Sequence, residues 1–155
     1  MVPALTIAVV EDNPGDARLI QIMLNEASGH GQDVFVACLS SLREALDRVA
    51  EKPFDVVLLD LGLPDSQGLA TFDRVNERAP ATPIIVFSGA MDERVATQAV
   101  ARGAQDYLVK GQIDAPQLKR AINYACERKR CEIEKTVRRD AGVFSRRAQA
   151  SMHSV

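Results

Sequence analysis

The sequence predicts an α/β fold, a parallel sheet of five strands doubly wound by helices, and three observations predict it. Four short apolar runs, at residues 5–10, 34–38, 56–59 and 84–87, and a fifth strand pattern at 105–109 alternate with stretches whose apolar residues recur at helical spacing. The central run, Val56-Val57-Leu58-Leu59, is apolar without interruption, as expected of a strand covered on both faces. The first, third, fourth and fifth of the five stop on polar or small residues, which places loops rather than core at those strand ends. Alternation at this short spacing requires parallel strands with crossover helices on both faces, the three-layer flavodoxin-like (β/α)5 arrangement.

The first run ends in Glu11-Asp12-Asn13-Pro14, where Asn13 can cap a helix that has Pro14 at its first position. Ala17, Ile20, Leu24 and Ala27 then form one buried stripe, which lasts until Gly29 and Gly31. After the second strand, Ser41 and Glu44 form a capping-box pattern ahead of Leu42, Ala45, Leu46 and Val49. The central strand delivers Asp60 to its end, and Gly62, Pro64 and Gly68 force a loop before the third helix of Leu69, Phe72, Val75 and Ala79. Pro80 and Pro83 stop that helix. The fourth strand ends at Ser88-Gly89. Residues 91–102 give a weaker helix whose thin stripe of Val95, Ala99 and Val100 suits an element ready to move. The fifth strand ends at Lys110-Gly111, and Asp114 with Pro116 and Gln117 opens a last helix.

A length of 155 residues suits one domain with an appendage, and 46% hydrophobic residues supports a sizeable core. No apolar run reaches membrane-spanning length, and Met1-Val2-Pro3-Ala4-Leu5-Thr6 lacks the basic and apolar regions of a secretory signal, so a cytoplasmic protein is expected. Cys38, Cys126 and Cys131 have no metal-ligand spacing and read as reduced packing residues. His30 and His153 have no partner arrangement and read as surface histidines. Residues 1–118 hold 9 Lys/Arg against 17 Asp/Glu, whereas residues 119–155 hold 10 against 4: an acidic body carries a basic tail.

In a parallel sheet all these strand ends share one edge, so Glu11, Asp12, Asp60, Ser88 and Lys110 should converge although they are scattered in sequence. Three crowded carboxylates repel one another unless a cation joins them, and oxygen ligands without His or Cys point to Mg2+. A metal, an ammonium and a hydroxyl around one aspartate would cradle a phosphoryl group, for which a carboxylate oxygen is a competent nucleophile.

With these residues in place, the chain over about residues 5–127 resembles the receiver domain of bacterial two-component response regulators. The resemblance makes Glu11 and Asp12 the acidic pair, Asp60 the phosphoacceptor, Ser88 the hydroxyl position, Tyr107 the switch aromatic and Lys110 the site lysine, with Pro64 and Gly68 in the loop after the acceptor. It implies phosphoryl transfer to Asp60 from a histidine kinase or a histidine phosphotransfer protein with Mg2+ bound. Metal contacts would come from Asp12, Asp60 and the backbone carbonyl of Gly62, with Glu11 acting through water. It also implies that Ser88 is drawn to the phosphoryl group while Tyr107 turns inward, which switches the face of the fourth helix, fifth strand and last helix. One departure is that Gly111 follows Lys110, where the family carries a proline in a cis peptide. A non-proline cis bond costs ~3–4 kcal/mol, so either the bond is trans and Lys110 is re-aimed, or the site imposes the strain. Gly62, Gly89 and Ala90 are small, which predicts easy access of water and a short-lived phosphoaspartate.

The helical pattern of Leu118, Ile122 and Ala125 runs on through Ile133 and Val137 with no breaker before Gly142, so an extended C-terminal helix is predicted. The organisation expected is a receiver over residues 1–127 and a basic helical extension with a disordered end over 128–155. Three readings compete for that extension: a solvated basic face, a helix that pairs with that of a second copy into a homodimer, and a nucleic-acid contact. The last is disfavoured, because no helix-turn-helix, zinc module or aromatic platform follows residue 127. For function as a whole the alternatives are a phosphohydrolase using Asp60 as nucleophile, or the receiver portion of a larger sensor kinase or cyclase. Against the hydrolase, Gly62 stands where the second acid of the haloacid-dehalogenase group would be, and no segment is long enough for a cap.

Overall fold

The computed structural model describes residues 4–27 and 33–152, with residues 27 and 143–152 described by their backbone alone. His30 and His153 lie outside the described residues. In chain order the elements are β1 (Leu5–Val10), α1 (Pro14–Ala27), β2 (Val34–Leu39), α2 (Leu42–Glu51), β3 (Val56–Leu59), β4 (Gly62–Leu63), β5 (Ser66–Gln67), α3 (Leu69–Arg78), β6 (Ile84–Ser88), α4 (Glu93–Ala101), β7 (Asp106–Val109) and α5 (Ala115–Met152). Five strands form one parallel sheet in the order β2-β1-β3-β6-β7, as the alternating pattern predicts. The two-residue strands β4 and β5 pair antiparallel in the loop after Asp60 and are too short to leave a periodic signal in sequence.

Strand alternation assigns the core to two layers. Ala8, Val10, Val57, Leu59, Ile84 and Val86 point to the side covered by α2, α3 and α4, where Leu42, Ala45, Phe72, Val75 and Ala99 are buried. Ile7, Val9, Val56, Leu58, Ile85 and Phe87 point to the other side, against Ile20 and Leu24 of α1 and Leu118, Ile122 and Ala125 of α5. Both faces of β3 are therefore covered, which is why its four residues are all apolar. Each fully buried Leu, Ile or Phe contributes about 1.5–3 kcal/mol relative to exposure.

Helix starts follow the caps the sequence supplies. The Asn13 side chain accepts from Asp16 N at 3.0 Å, and that of Ser41 accepts from Glu44 N at 3.1 Å. Asp114 and Gln117 exchange bonds at 2.8 and 2.9 Å, a reciprocal cap at the start of α5. The Glu44 carboxylate, however, returns to Ser40 N at 3.1 Å rather than to the cap residue. Helix α4 buries only Ala99. Helix α5 continues for 38 residues, a rod of about 57 Å. Two cysteines correct the packing reading: Cys38, on the edge strand β2, and Cys131, on the outer part of α5, are exposed thiols, and Cys126 is partly buried.

Candidate functional site

The parallel sheet brings its strand ends to one edge. Glu11, one residue past β1, is buried, and its main chain is held there by Glu11 N donating to Leu39 O at 2.9 Å. Asp60, one residue past β3, is fixed in the same way by Asp60 N donating to Val10 O at 3.0 Å. Lys110, one residue past β7, has its amide on Ser88 O at 2.7 Å. All peptide bonds among the described residues are trans, including Lys110–Gly111, and Gly111 takes φ 80°. Of the two geometries the sequence left open at this bond, the unstrained one is adopted, with glycine supplying the left-handed backbone.

Lys110 still reaches the acidic edge. Its ammonium bonds Glu11 Oε2 directly, donates to Asp60 Oδ2 at 2.9 Å and lies 3.3 Å from Asp16 Oδ2. The remaining oxygens are oriented by main chain: Gly62 N donates to Asp60 Oδ1 at 2.9 Å, and Asn13 N to Glu11 Oε1 at 3.1 Å. Asp12 is exposed at the rim, and carboxylate oxygens of Glu11, Asp12 and Asp60 lie within 4.8 Å of one another. This set contains oxygen only, which suits a hard divalent cation rather than zinc or copper.

Its electrostatics divide the two inner acids. Burial pushes the Glu11 carboxyl up from 4.5 to about 7, reinforced by its hydrogen bond with Asp60 and only partly offset by Lys110. Burial would raise Asp60 too, but hydrogen bonds with Glu11, Gly62 N and Lys110 outweigh it and hold this carboxyl below the usual range. Burial works against the Lys110 ammonium, yet hydrogen bonds to Glu11 and Asp60 prevail and raise its pKa. Asp60 is thus kept ionised beside a neighbour that holds its proton to neutral pH.

Ser88 and Tyr107 form a separate pair. The Ser88 hydroxyl donates to Ala90 O at 3.1 Å, and the Tyr107 hydroxyl donates to the same carbonyl at 3.1 Å. The two hydroxyls therefore share one acceptor in the loop before α4. The sequence reasoning missed Asp16 and Asp65. Asp65 accepts from Leu42 N at 2.8 Å and Arg43 N at 3.0 Å, so it ties the loop after Asp60 to the start of α2, and these bonds hold its carboxyl low. No local pattern marks it, because its partners precede it by more than twenty residues. Asp16 was more accessible to inference, since it lies one turn beyond Asn13 at the same edge.

Comparison with known proteins bears directly on this arrangement. Residues 7–123 match the response regulator receiver domain family. The chain belongs to that family. It is a CheY-like receiver of two-component signalling, and the family is not one of conventional enzymes, which sets the phosphohydrolase alternative aside. Among curated proteins it is similar to the transcriptional regulatory protein ZraR of Escherichia coli (strain K12), 33% identical over 106 residues, covering 68% of this chain and 23% of that protein. The chain thus spans less than a quarter of the length of that relative. Among solved structures it is similar to the beryllofluoride-activated NtrC4 receiver domain dimer, with TM-score 0.67 and 26% identity over 80% of this chain and 98% of that one. It shares its fold with the receiver domain of sensor histidine kinase PA1611 from Pseudomonas aeruginosa PAO1, solved with a magnesium ion in the active site cleft (TM-score 0.67, 21% identity, 80% and 98% covered). No described helix is long and apolar enough to cross a membrane.

Proposed function

We propose that this receiver takes a phosphoryl group on Asp60 from the phosphohistidine of a sensor kinase or phosphotransfer protein, and that its charge state changes what the rest of the molecule binds. The observation that carries the reading is the contrast at the site: an ionised Asp60 between a backbone donor and an ammonium, with Glu11 and Asp12 beside it. One Asp60 oxygen forms the new P–O bond as the P–N bond breaks, and the released imidazole takes up a proton. Gly62 N orients one carboxylate oxygen, and Lys110 can move its hydrogen bond to the phosphoryl oxygens. Mg2+ would be held by Asp12, Asp60 and the Gly62 carbonyl, with Glu11 through water. When bound it supplies the positive charge that the crowded carboxylates and the transferring oxygens require.

The switch follows from the shared carbonyl. A phosphoryl group brings about −1.5 to −2 charges and three acceptors, which compete with Ala90 O for the Ser88 hydroxyl. Loss of that bond frees the loop that also holds the Tyr107 hydroxyl, and α4, attached by little buried surface, shifts with it. The α4–β7–α5 face is the surface that would then change its partner or pair with a second copy. Residues 1–127 act as the receiver in the cytoplasm, and the basic stretch 128–155 as a connector or pairing segment. A larger regulator, sensor kinase or cyclase containing this receiver is the second reading, favoured by the unbroken run of α5 past the sheet.

The deciding experiment is intact mass after incubation with acetyl phosphate and Mg2+. One phosphoryl group gained by the natural protein, and none by Asp60→Asn or without metal, is expected. Gain by Asp60→Asn would refute the assignment of the acceptor.

A further inference from the structure

Asp16 is an acid at the site that no strand end supplies. It sits at the third position of α1, whose cap is Asn13: Asn13 Oδ1 accepts from Asp16 N at 3.0 Å and Asn13 O from Ala17 N at 3.0 Å. An acid at this position ordinarily turns back to the N–H of the cap residue. Here that N–H is already taken, because Asn13 N donates to Glu11 Oε1 at 3.1 Å. The Asp16 carboxylate is released from capping and reaches Lys110 Nζ at 3.3 Å.

An ammonium has three protons to donate, and three carboxylates meet this one. Two of them, Glu11 and Asp60, lie inside the site with side chains 2% and 15% exposed, whereas Asp16 approaches from solvent at 43%. The backbone after Lys110 is a glycine with φ 80°, not a proline, so the chain itself constrains the lysine little.

We propose that Asp16 is a positioning residue for Lys110, which holds the ammonium from the solvent side and shares its charge with Asp60. Without Asp16 the ammonium settles onto Glu11 and Asp60, and the nucleophilic carboxylate is more fully neutralised before attack. With Asp16 the lysine keeps a solvent-side anchor besides Glu11 while it exchanges Asp60 for the incoming phosphoryl oxygens. This inference rests on the receiver reading given above.

The test is the rate of phosphorylation by acetyl phosphate at saturating Mg2+ for the natural protein, Asp16→Ala, Asp16→Asn and Asp16→Glu, with half-saturating Mg2+ and thermal midpoint measured on each. The expected result is a roughly two- to fivefold slower rate for Ala and Asn, the range an exposed ion pair supplies, and recovery with Glu. Half-saturating Mg2+ and the thermal midpoint should stay where they are. Unchanged rates in Ala and Asn would overturn the proposal. So would a loss that tracks weaker Mg2+ binding or a lowered midpoint, since Asp16 would then act on the metal or on the helix cap. Failure of the natural protein itself to gain a phosphoryl group would bring down the proposed phosphoryl transfer to Asp60 and this inference together, whereas equal rates in all four proteins would leave that transfer standing and overturn this inference alone.

Discussion

The two edges of the main sheet use the same residue types for opposite ends. At the edge away from the site, Asp55 accepts from Thr6 N at 2.7 Å and from Thr6 Oγ1 at 3.1 Å, while Asp55 N returns to Thr6 O at 2.9 Å. Helix α5 is fastened there too, where it leaves the sheet, with Cys126 Sγ on Asp55 O at 3.5 Å and Arg128 Nη2 on Gln105 O at 3.0 Å. At the site edge, side chains meet side chains: Glu11, Asp16 and Asp60 converge on one ammonium. At Asp55 the carboxylate bonds only Thr6 and joins two segments, with no second carboxylate or ammonium beside it among its hydrogen bonds. Carboxylates set against one another hold unbalanced charge, and that is what a cation and a phosphoryl group can exploit.

The largest effect that separates the edges should come from pH. In metal-free protein Glu11 ionises at about 7 when folded and at 4.5 when unfolded. Between those values the folded chain keeps a proton that the unfolded chain has lost, so stability falls as pH rises from about 5 through 7 and is level above that. The loss should be on the order of 2–3 kcal/mol, read as the urea midpoint in chelator. Mg2+ should remove most of it, and Glu11→Gln should flatten the slope without metal. A midpoint that stays level across this range, or falls equally in Glu11→Gln, would show that the buried acid does not store this charge.

A smaller effect is expected at the opposite edge. Asp55→Ala removes a charged acceptor from Thr6 N and Thr6 Oγ1 and should cost about 1–3 kcal/mol. That cost should be the same with and without Mg2+, because nothing at this edge faces the acidic cluster. If Mg2+ changes the cost, the two edges communicate through β1 or β3, and the contrast between them weakens.

Legibility in the sequence follows the same contrast. The runs at 5–10 and 56–59 coincide with β1 and β3, and the other three sheet strands differ by a residue at one end. Convergence of Glu11, Asp12, Asp60 and Lys110 could be read because parallel topology turns strand ends into neighbours, whatever their distance along the chain. What could not be read depends on which partner a side chain selects from several within reach. Ser88 and Tyr107 were legible as residues, but not their common bond to Ala90 O, because a backbone carbonyl carries no sequence signature. Asp65 bonds the start of α2 across the fold, and Asp16 reaches Lys110 while Glu11 occupies the cap N–H. Cys38 and Cys131 misled for a different reason: composition favours burial of cysteine, but an edge strand and a projecting helix have no layer to cover them.

The smallest effect concerns how far the receiver reaches along α5. Arg128 donates to Gln105 O, and Gln105 Nε2 lies 3.3 Å from Glu132 Oε1, so polar contact with the body continues beyond residue 127. Gln105 immediately precedes β7, the strand that carries Tyr107 toward the site and leads into Lys110. Both contacts are exposed, and together they should contribute about 1 kcal/mol or less. Arg128→Ala with Glu132→Ala should therefore leave global stability and phosphorylation nearly unchanged, while amide hydrogen exchange quickens in the helix from about residue 126 outward. If beryllofluoride and Mg2+ alter exchange in that segment of the natural protein but not of the double variant, the movement of β7 is carried into the extension through Gln105. If the segment responds equally in both, the continuous backbone of α5 is sufficient and the clip serves only to seat the helix.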